Sequence, residues 1–173
     1  VKNRIGRAAE SDHDGDGVKN ASGWVKGDDA FVVLDRNGNG RIDNGGELFG
    51  DHTVLASGKK ATNGFEALAE LDENKDGVFN ATDARFAEVK LWRDLNQNGV
   101  SDAGELKSFA ESGVLSIDLK GVTKDGQTLA GGNILAASSV QGDREYFTFA
   151  VPPGHRLEAI FVTAYNAADD RAF

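Results

Sequence analysis

Apolar residues along this chain come in short bursts between polar stretches rich in Asp, Asn and Gly. Ala30-Phe31-Val32-Val33-Leu34 is a continuous run with the length of a buried strand. Phe65, Leu68 and Leu71 recur at helical spacing behind Asn63-x-x-Glu66, a capping-box pattern, and predict a helix over 63–71. Phe86, Val89 and Trp92 share one helical face and predict a second helix over 82–93. A second capping box, Asp102-x-x-Glu105, opens a third helix through Leu106, Phe109 and Ala110, ending at Gly113. These Phe and Trp stripes read as core. Beyond Gly113, Leu115, Ile117 and Leu119 alternate as in a half-buried strand. Further strands are expected near 128–137, 145–151 and 156–165, with a turn at Lys124-Asp125-Gly126-Gln127 and a break at Val151-Pro152-Pro153-Gly154. The expected fold class is α+β: polar loops on short helices, packed with a small antiparallel β-rich part. Residues 1–140 are expected to form one module. Residues 141–173 form a β-rich tail, part of the same domain or the start of another.

The polar stretches carry a pattern that occurs four times. It begins at Asp12, Asp35, Asp72 and Asp94, with oxygen-bearing side chains at positions 1, 3 and 5 and Gly at position 6. That is the opening half of an EF-hand calcium loop, in which carboxylates, amide oxygens and one backbone carbonyl gather six to eight oxygens around a hard cation. Single Asp/Asn/Gly hexads also make ordinary turns, but four within this span argue for metal. The fourth loop is complete: Asp94, Asn96 and Asn98, the Val100 carbonyl, Asp102 at position 9 and Glu105 at position 12. The third offers Asp72, Asn74, Asp76, the Val78 carbonyl and Asn80, closed by the shorter Asp83. The second offers Asp35, Asn37, Asn39, the Arg41 carbonyl and Asp43, but has Gly46 at position 12. Glu47 follows it, and Asn44-Gly45-Gly46 can absorb the extra residue. The first offers Asp12, Asp14, Asp16, the Val18 carbonyl and Asn20, with Gly23 at position 12. Asp28 or Asp29, beyond Trp24, would have to fold back to close it, and Asp29 is taken as the ligand. Otherwise three like charges share one turn. Three to four Ca2+ ions are expected. Ile42 and Phe79 at position 8 suit the small strand pairing between neighbouring loops, while Lys19 and Ser101 hold that position in the other two. His13, at position 2, is expected to point outward.

Charge sharpens this picture. Twelve of the 28 acidic residues stand at ligand positions of the four loops, and the remaining sixteen fall short of the 19 bases. The acidity is therefore local to the loops. With no basic stripe, a nucleic-acid partner is not expected. No apolar run approaches a membrane span. Cysteine and methionine are both absent. Without disulfides, a loop-rich extracellular domain needs another staple, and metal is the usual one. The lack of methionine argues against a sensor that opens a Met-rich groove. Val1-Lys2-Asn3-Arg4 does not open a signal peptide, which fits an excised fragment, a cytoplasmic protein or export by a signal elsewhere.

Residues 12–51, 65–108 and 113–121 carry an ordered run of Gly-Trp, Asp-Asp, Asn-Gly-Asn-Gly, Glu-Leu-Phe-Gly-Asp and Trp-x-Asp-x-Asn. With these, the stretch from Asp12 to about Ser139 resembles the self-processing module of FrpC-type RTX proteins, exported by bacterial type I secretion. The resemblance implies a module folded by calcium that cleaves an Asp-Pro bond at its own N-terminal edge. There an aspartate side chain attacks its own carbonyl, and water or a lysine amine captures the anhydride. This chain has no Asp-Pro bond, since Val151 precedes Pro152 and Pro152 precedes Pro153. The functional expectation is accordingly a calcium-binding module of a secreted or cell-surface RTX-type protein or adhesin. Its expected partners are neighbouring domains of a larger chain and an extracellular protein or glycan target. The alternative is an autocatalytic cleavage and Asp-Lys ligation module whose scissile bond lies upstream, so the chain as it stands is read as leaning away from an enzyme.

Overall fold

The computed structural model describes residues 5–27, 29–120, 122–128, 134–138 and 160–164, with side chains over 8–27 and 29–120. Ten strands and two short helical pieces make up the described chain. In order they are β1 (Ile5–Ser11), β2 (Asn20–Val25), β3 (Ala30–Val33), a 3-10 turn (Gly45–Glu47), α1 (Gly64–Ala69), β4 (Val78–Asn80), β5 (Lys90–Trp92), β6 (Leu106–Ser108), β7 (Ser116–Asp118), β8 (Val122–Thr128), β9 (Ile134–Ser138) and β10 (Ile160–Ala164).

The α+β expectation is overturned: the fold is mostly β, in small sheets. β1 and β2 form an antiparallel hairpin, β4 pairs antiparallel with β7, and a six-stranded sheet runs β6-β5-β3-β10-β9-β8. Its neighbours are antiparallel except β3 and β10, which run parallel. The expected strand at 30–34 is β3, buried along its whole length. The helix expected over 82–93 is instead a series of turns ending in β5, and that expected from Asp102 to Gly113 is β6 followed by turns. Both readings failed for one reason. The i, i+3 spacing of Phe86, Val89 and Trp92 left out Leu91, which is 1% exposed. Leu91 and Trp92 are buried on opposite faces of β5, and pairing with β3 wins over local helical preference.

The α1 segment is the exception. Asn63 Oδ1 accepts from the backbone N–H of Phe65 and Glu66, at 2.9 and 3.0 Å. Glu66 Oε2 reaches back to Thr62, taking its N–H at 2.7 Å rather than that of Asn63, so the capping box is displaced by one residue. Phe65, Ala67 and Leu68 then enter the core.

Two aromatic groups anchor that core. Trp24, Phe31 and Trp92 meet at centroid distances of 5.0 to 5.7 Å, and Phe79, Phe86 and Phe109 at 5.1 to 6.2 Å. Ile117 on β7 is fully buried against this core, in the strand expected from its alternation, while Leu115 is half exposed. The expected turn at 124–127 lies inside β8, where the pairing with β9 shifts register between Lys124 and Thr128. The expected strand over 156–165 is β10, whereas those near 145–151 and the break at 151–154 lie outside the described residues.

Candidate metal centres

Each Asp/Asn/Gly loop caps or connects short strands. Loop one (12–20) is the tip of the β1–β2 hairpin, loop two (35–47) follows β3, loop three (72–83) follows α1 and contains β4, and loop four (94–105) joins β5 to β6. All four share one backbone path. Position 4 is left-handed in each, as Gly15, Gly38, Lys75 and Gln97, with φ from 57 to 77°. Position 6 is left-handed too, as Gly17, Gly40, Gly77 and Gly99. The position-1 carboxylate explains the path. Asp12, Asp35, Asp72 and Asp94 each accept the N–H of the position-6 glycine, at 2.7 to 3.0 Å, and so wind the loop around their own side chain.

Loops two, three and four are closed in the same way. Glu105 takes the N–H of Leu95 at position 2 (2.9 Å) and of Asp102 at position 9 (3.0 Å). Asp83 takes those of Glu73 (3.1 Å) and Asn80 (2.9 Å), again positions 2 and 9. Glu47 takes those of Arg36 (3.0 Å) and Asp43 (2.7 Å), the same two positions. Gly45 and Gly46 thus absorb the extra residue, and Glu47 stands where a position-12 carboxylate would. All three closing carboxylates are buried, at 3 to 4% exposure. A buried carboxylate needs such partners.

Loop one is different. Its position 12, Gly23, lies inside β2, paired with Ala8, where it can offer no side chain. Asn20 begins β2 opposite Ser11 and is exposed. Asp29 is buried in the turn before β3, where its N–H donates to Lys26. That is the far end of β2 from loop one, a strand length of roughly 16 Å. The structure therefore does not bring Asp29 to loop one, and Asp28 lies outside the described residues. Carboxylate oxygens of Asp12, Asp14 and Asp16 do gather within 4.8 Å of one another. Asp14 and Asp16 are exposed, and their oxygens accept from the next-but-one N–H, at 3.3 and 2.6 Å.

His13 does not point outward. Its ring nitrogen lies 2.6 Å from Ser22 Oγ and its ring 5.9 Å from that of Trp24. Burial pushes its imidazole below the ordinary value, helped by His52 and opposed by Asp12 and Asp14.

Loop pairing also departs from expectation. Ile42 and Ser101, both at position 8, connect loop two to loop four: the Ile42 N–H donates to Ser101 Oγ at 3.1 Å. Phe79 pairs instead with Ile117 on β7. In loop three the Lys120 ammonium donates to the Asp76 carbonyl.

Oxygen donors dominate every loop, as a hard cation requires. In loops two and four the paired asparagine amides, Asn37 and Asn39, Asn96 and Asn98, donate to Asp43 and Asp102 at 2.6 to 3.0 Å. These bonds, Asn37 and Asn96 foremost, hold both carboxyls below the usual range. In loop three, Asp72 Oδ1 is buried and accepts no hydrogen bond. A buried carboxylate oxygen with open lone pairs is costly unless something positive meets it. The donor set and this atom both fit a cation. Sequence reasoning missed the two tryptophans as parts of the site. Trp24 Nε1 donates to Asp94 Oδ2 at 2.7 Å and Trp92 Nε1 to Glu105 Oε2 at 3.3 Å. The Trp92-x-Asp94 spacing was the available sign.

With that geometry in place, the chain belongs to the SPM domain family, whose model matches residues 3–146 and so takes in all four loops. It is also similar to the iron-regulated protein FrpA of Neisseria meningitidis serogroup C, 52% identical over 127 residues. The match covers 72% of this chain and 11% of that relative's length. This agrees with the likeness to FrpC-type proteins. No helix among the described residues is long and apolar enough to cross a membrane.

Proposed function

We propose that this chain is a calcium-binding, calcium-folded module of a secreted RTX-type protein or adhesin, holding three to four ions. The observation that carries the reading is the shared closure of loops two, three and four, in which Glu47, Asp83 and Glu105 take the N–H groups of positions 2 and 9. Asp35, Asn37, Asn39, the Arg41 carbonyl, Asp43 and Glu47 would hold one ion. Asp72, Asn74, Asp76, the Val78 carbonyl, Asn80 and Asp83 would hold a second, and Asp94, Asn96, Asn98, the Val100 carbonyl, Asp102 and Glu105 a third. The aspartate trio of loop one, with the Val18 carbonyl and Asn20, offers a fourth, more open place. Bound calcium would supply positive charge to buried carboxylates and link loop to strand. Export to the cell surface or medium by type I secretion, and contact with neighbouring domains and an extracellular protein or glycan, belong to the same proposal. Titration calorimetry on chelator-stripped protein tests it: three or more calcium equivalents are expected, and no uptake would sink the reading.

Membership of the SPM domain family favours a second reading, a calcium-dependent autocatalytic module. The chain has no Asp-Pro bond, so the scissile aspartate would have to come from upstream. Its side-chain carboxylate would attack its own carbonyl, the Asp–Pro C–N bond would break with the prolyl nitrogen leaving as an amine, and water or a lysine amine would open the resulting anhydride. An intact mass of a chain with Asp-Pro placed directly before Val1, after calcium addition, decides it. Fragments split at that junction support self-processing; one unchanged mass in folded protein rejects it.

A further inference from the structure

We propose that Trp24 and Trp92 are positioning residues for the cation of loop four, and that Trp24 fastens the β1–β2 hairpin to it. The inference rests on the calcium reading above. The chain has two tryptophans, and their indole N–H groups reach the first and the closing carboxylate of one loop. Both rings are 1% exposed, Asp94 is fully buried, and the rings meet edge to face at 5.6 Å.

Lone pairs show what the indoles do. Each carboxylate oxygen accepts about two hydrogen bonds or ligands. Asp94 Oδ2 takes Gly99 N–H and the Trp24 indole, both at 2.7 Å, and is thereby filled. Oδ1 takes the Asn98 N–H at 3.1 Å and keeps one lone pair free. Trp24 therefore sets which oxygen of Asp94 faces the ion and stops the carboxylate turning. In loops two and three the matching oxygens, Asp35 Oδ2 and Asp72 Oδ2, take the glycine N–H at 2.7 and 2.8 Å without an indole.

Trp24 lies 70 residues from Asp94, so the bond joins separate elements. The surrounding fit is close. A Cβ on Gly99 would lie 2.4 Å from the Glu10 carbonyl oxygen, and one on Gly27 2.9 Å from that of Leu95. Arg93 Nη2 donates to the Gly27 carbonyl at 3.1 Å. Both ends of the hairpin thus rest on loop four, and filling that loop holds the hairpin in place.

Calorimetric calcium titrations of the whole chain and of Trp24→Phe test this. Phenylalanine keeps a ring against Phe31 and Trp92 but loses the donor. One binding step should weaken about tenfold or more, as loss of an outer partner to a metal ligand does. It should be the step that Glu105→Gln removes, with the other steps unchanged. A Trp24→Phe titration superimposable on that of the unaltered chain would overturn the proposal and leave the calcium reading standing. No uptake by the unaltered chain would instead overturn the calcium reading, and this inference with it. If the variant does not fold, the indole N–H signals of the unaltered, 15N-labelled chain decide. Both should shift in the same calcium step; a Trp24 signal stationary through saturation overturns the proposal.

Discussion

Loop one and loop four share a backbone path but differ in everything that surrounds it. Loop four is buried at both ends of its ligand set, with Asp94 and Glu105 each holding backbone N–H groups and an indole. Loop one presents three aspartates at a hairpin tip, two of them exposed, and the place of a closing carboxylate is taken by a glycine within β2. The hexad therefore builds the turn, while the rest of the fold decides how far the turn becomes a closed site. In the exposed loop, like charges stand together in water; in the buried one, the first and the closing carboxylate each gain an indole donor beside their backbone ones.

The largest expected effect breaks the comparison at its strongest point. Asp94→Ala strands the buried N–H groups of Gly99 and Trp24, while that of Asn98 keeps Asn96 Oδ1 at 3.0 Å. At about 1–3 kcal/mol per buried donor left unmade, urea unfolding should show a loss of about 3 kcal/mol or more. Asp12→Ala, whose partners Gly15 and Gly17 are exposed, should cost less than about 1 kcal/mol. Equal losses would mean that burial does not separate the loops. Next in size is calcium itself. Each filled site should add roughly 2.7 kcal/mol at free calcium about 100 times its dissociation constant, so chelator should lower the melting temperature sharply. An unchanged melting curve would contradict a calcium-folded module.

A smaller effect sharpens the contrast. Asp14→Asn relieves repulsion in loop one, so in chelator it should raise stability by no more than about 1 kcal/mol, and in calcium lower it. The same sign in both conditions would show that loop one takes no ion. The smallest effect lies in pH. Asp43 and Asp102 have folded pKa values below the ordinary one, chiefly through the side-chain amides of Asn37 and Asn96. In chelator their contribution should be complete above the ordinary Asp range and vanish as pH falls through the depressed values. Asn96→Ala should move the Asp102 titration, followed by NMR, back upward, leaving Asp43 where it was.

The four loops and the cap of α1 were legible in the sequence because each is local, a side chain reaching an N–H a few residues away, and β3 because its apolar run is continuous. What stayed hidden was long-range. Lys90, Leu91 and Trp92 took strand form because β3 lay opposite, and Leu106 to Ser108 because β5 did. No local period reports a partner far along the chain. Glu47 was readable as a late closing residue from the glycines before it. The failure of Asp29 to reach loop one was not, since it follows from the direction of β2.

Gly45 holds one further lesson, about insertions. Its N–H donates to the Asp12 carbonyl at 2.7 Å, and any Cβ there would lie 1.9 Å from the His13 carbonyl oxygen. The supernumerary residue of loop two is thus the seat on which loop one rests. A descendant that trimmed loop two to standard length would repair one ligand spacing and unmoor its neighbour. Drift at this position is therefore confined to glycine, however tolerant the exposed tip of loop one becomes.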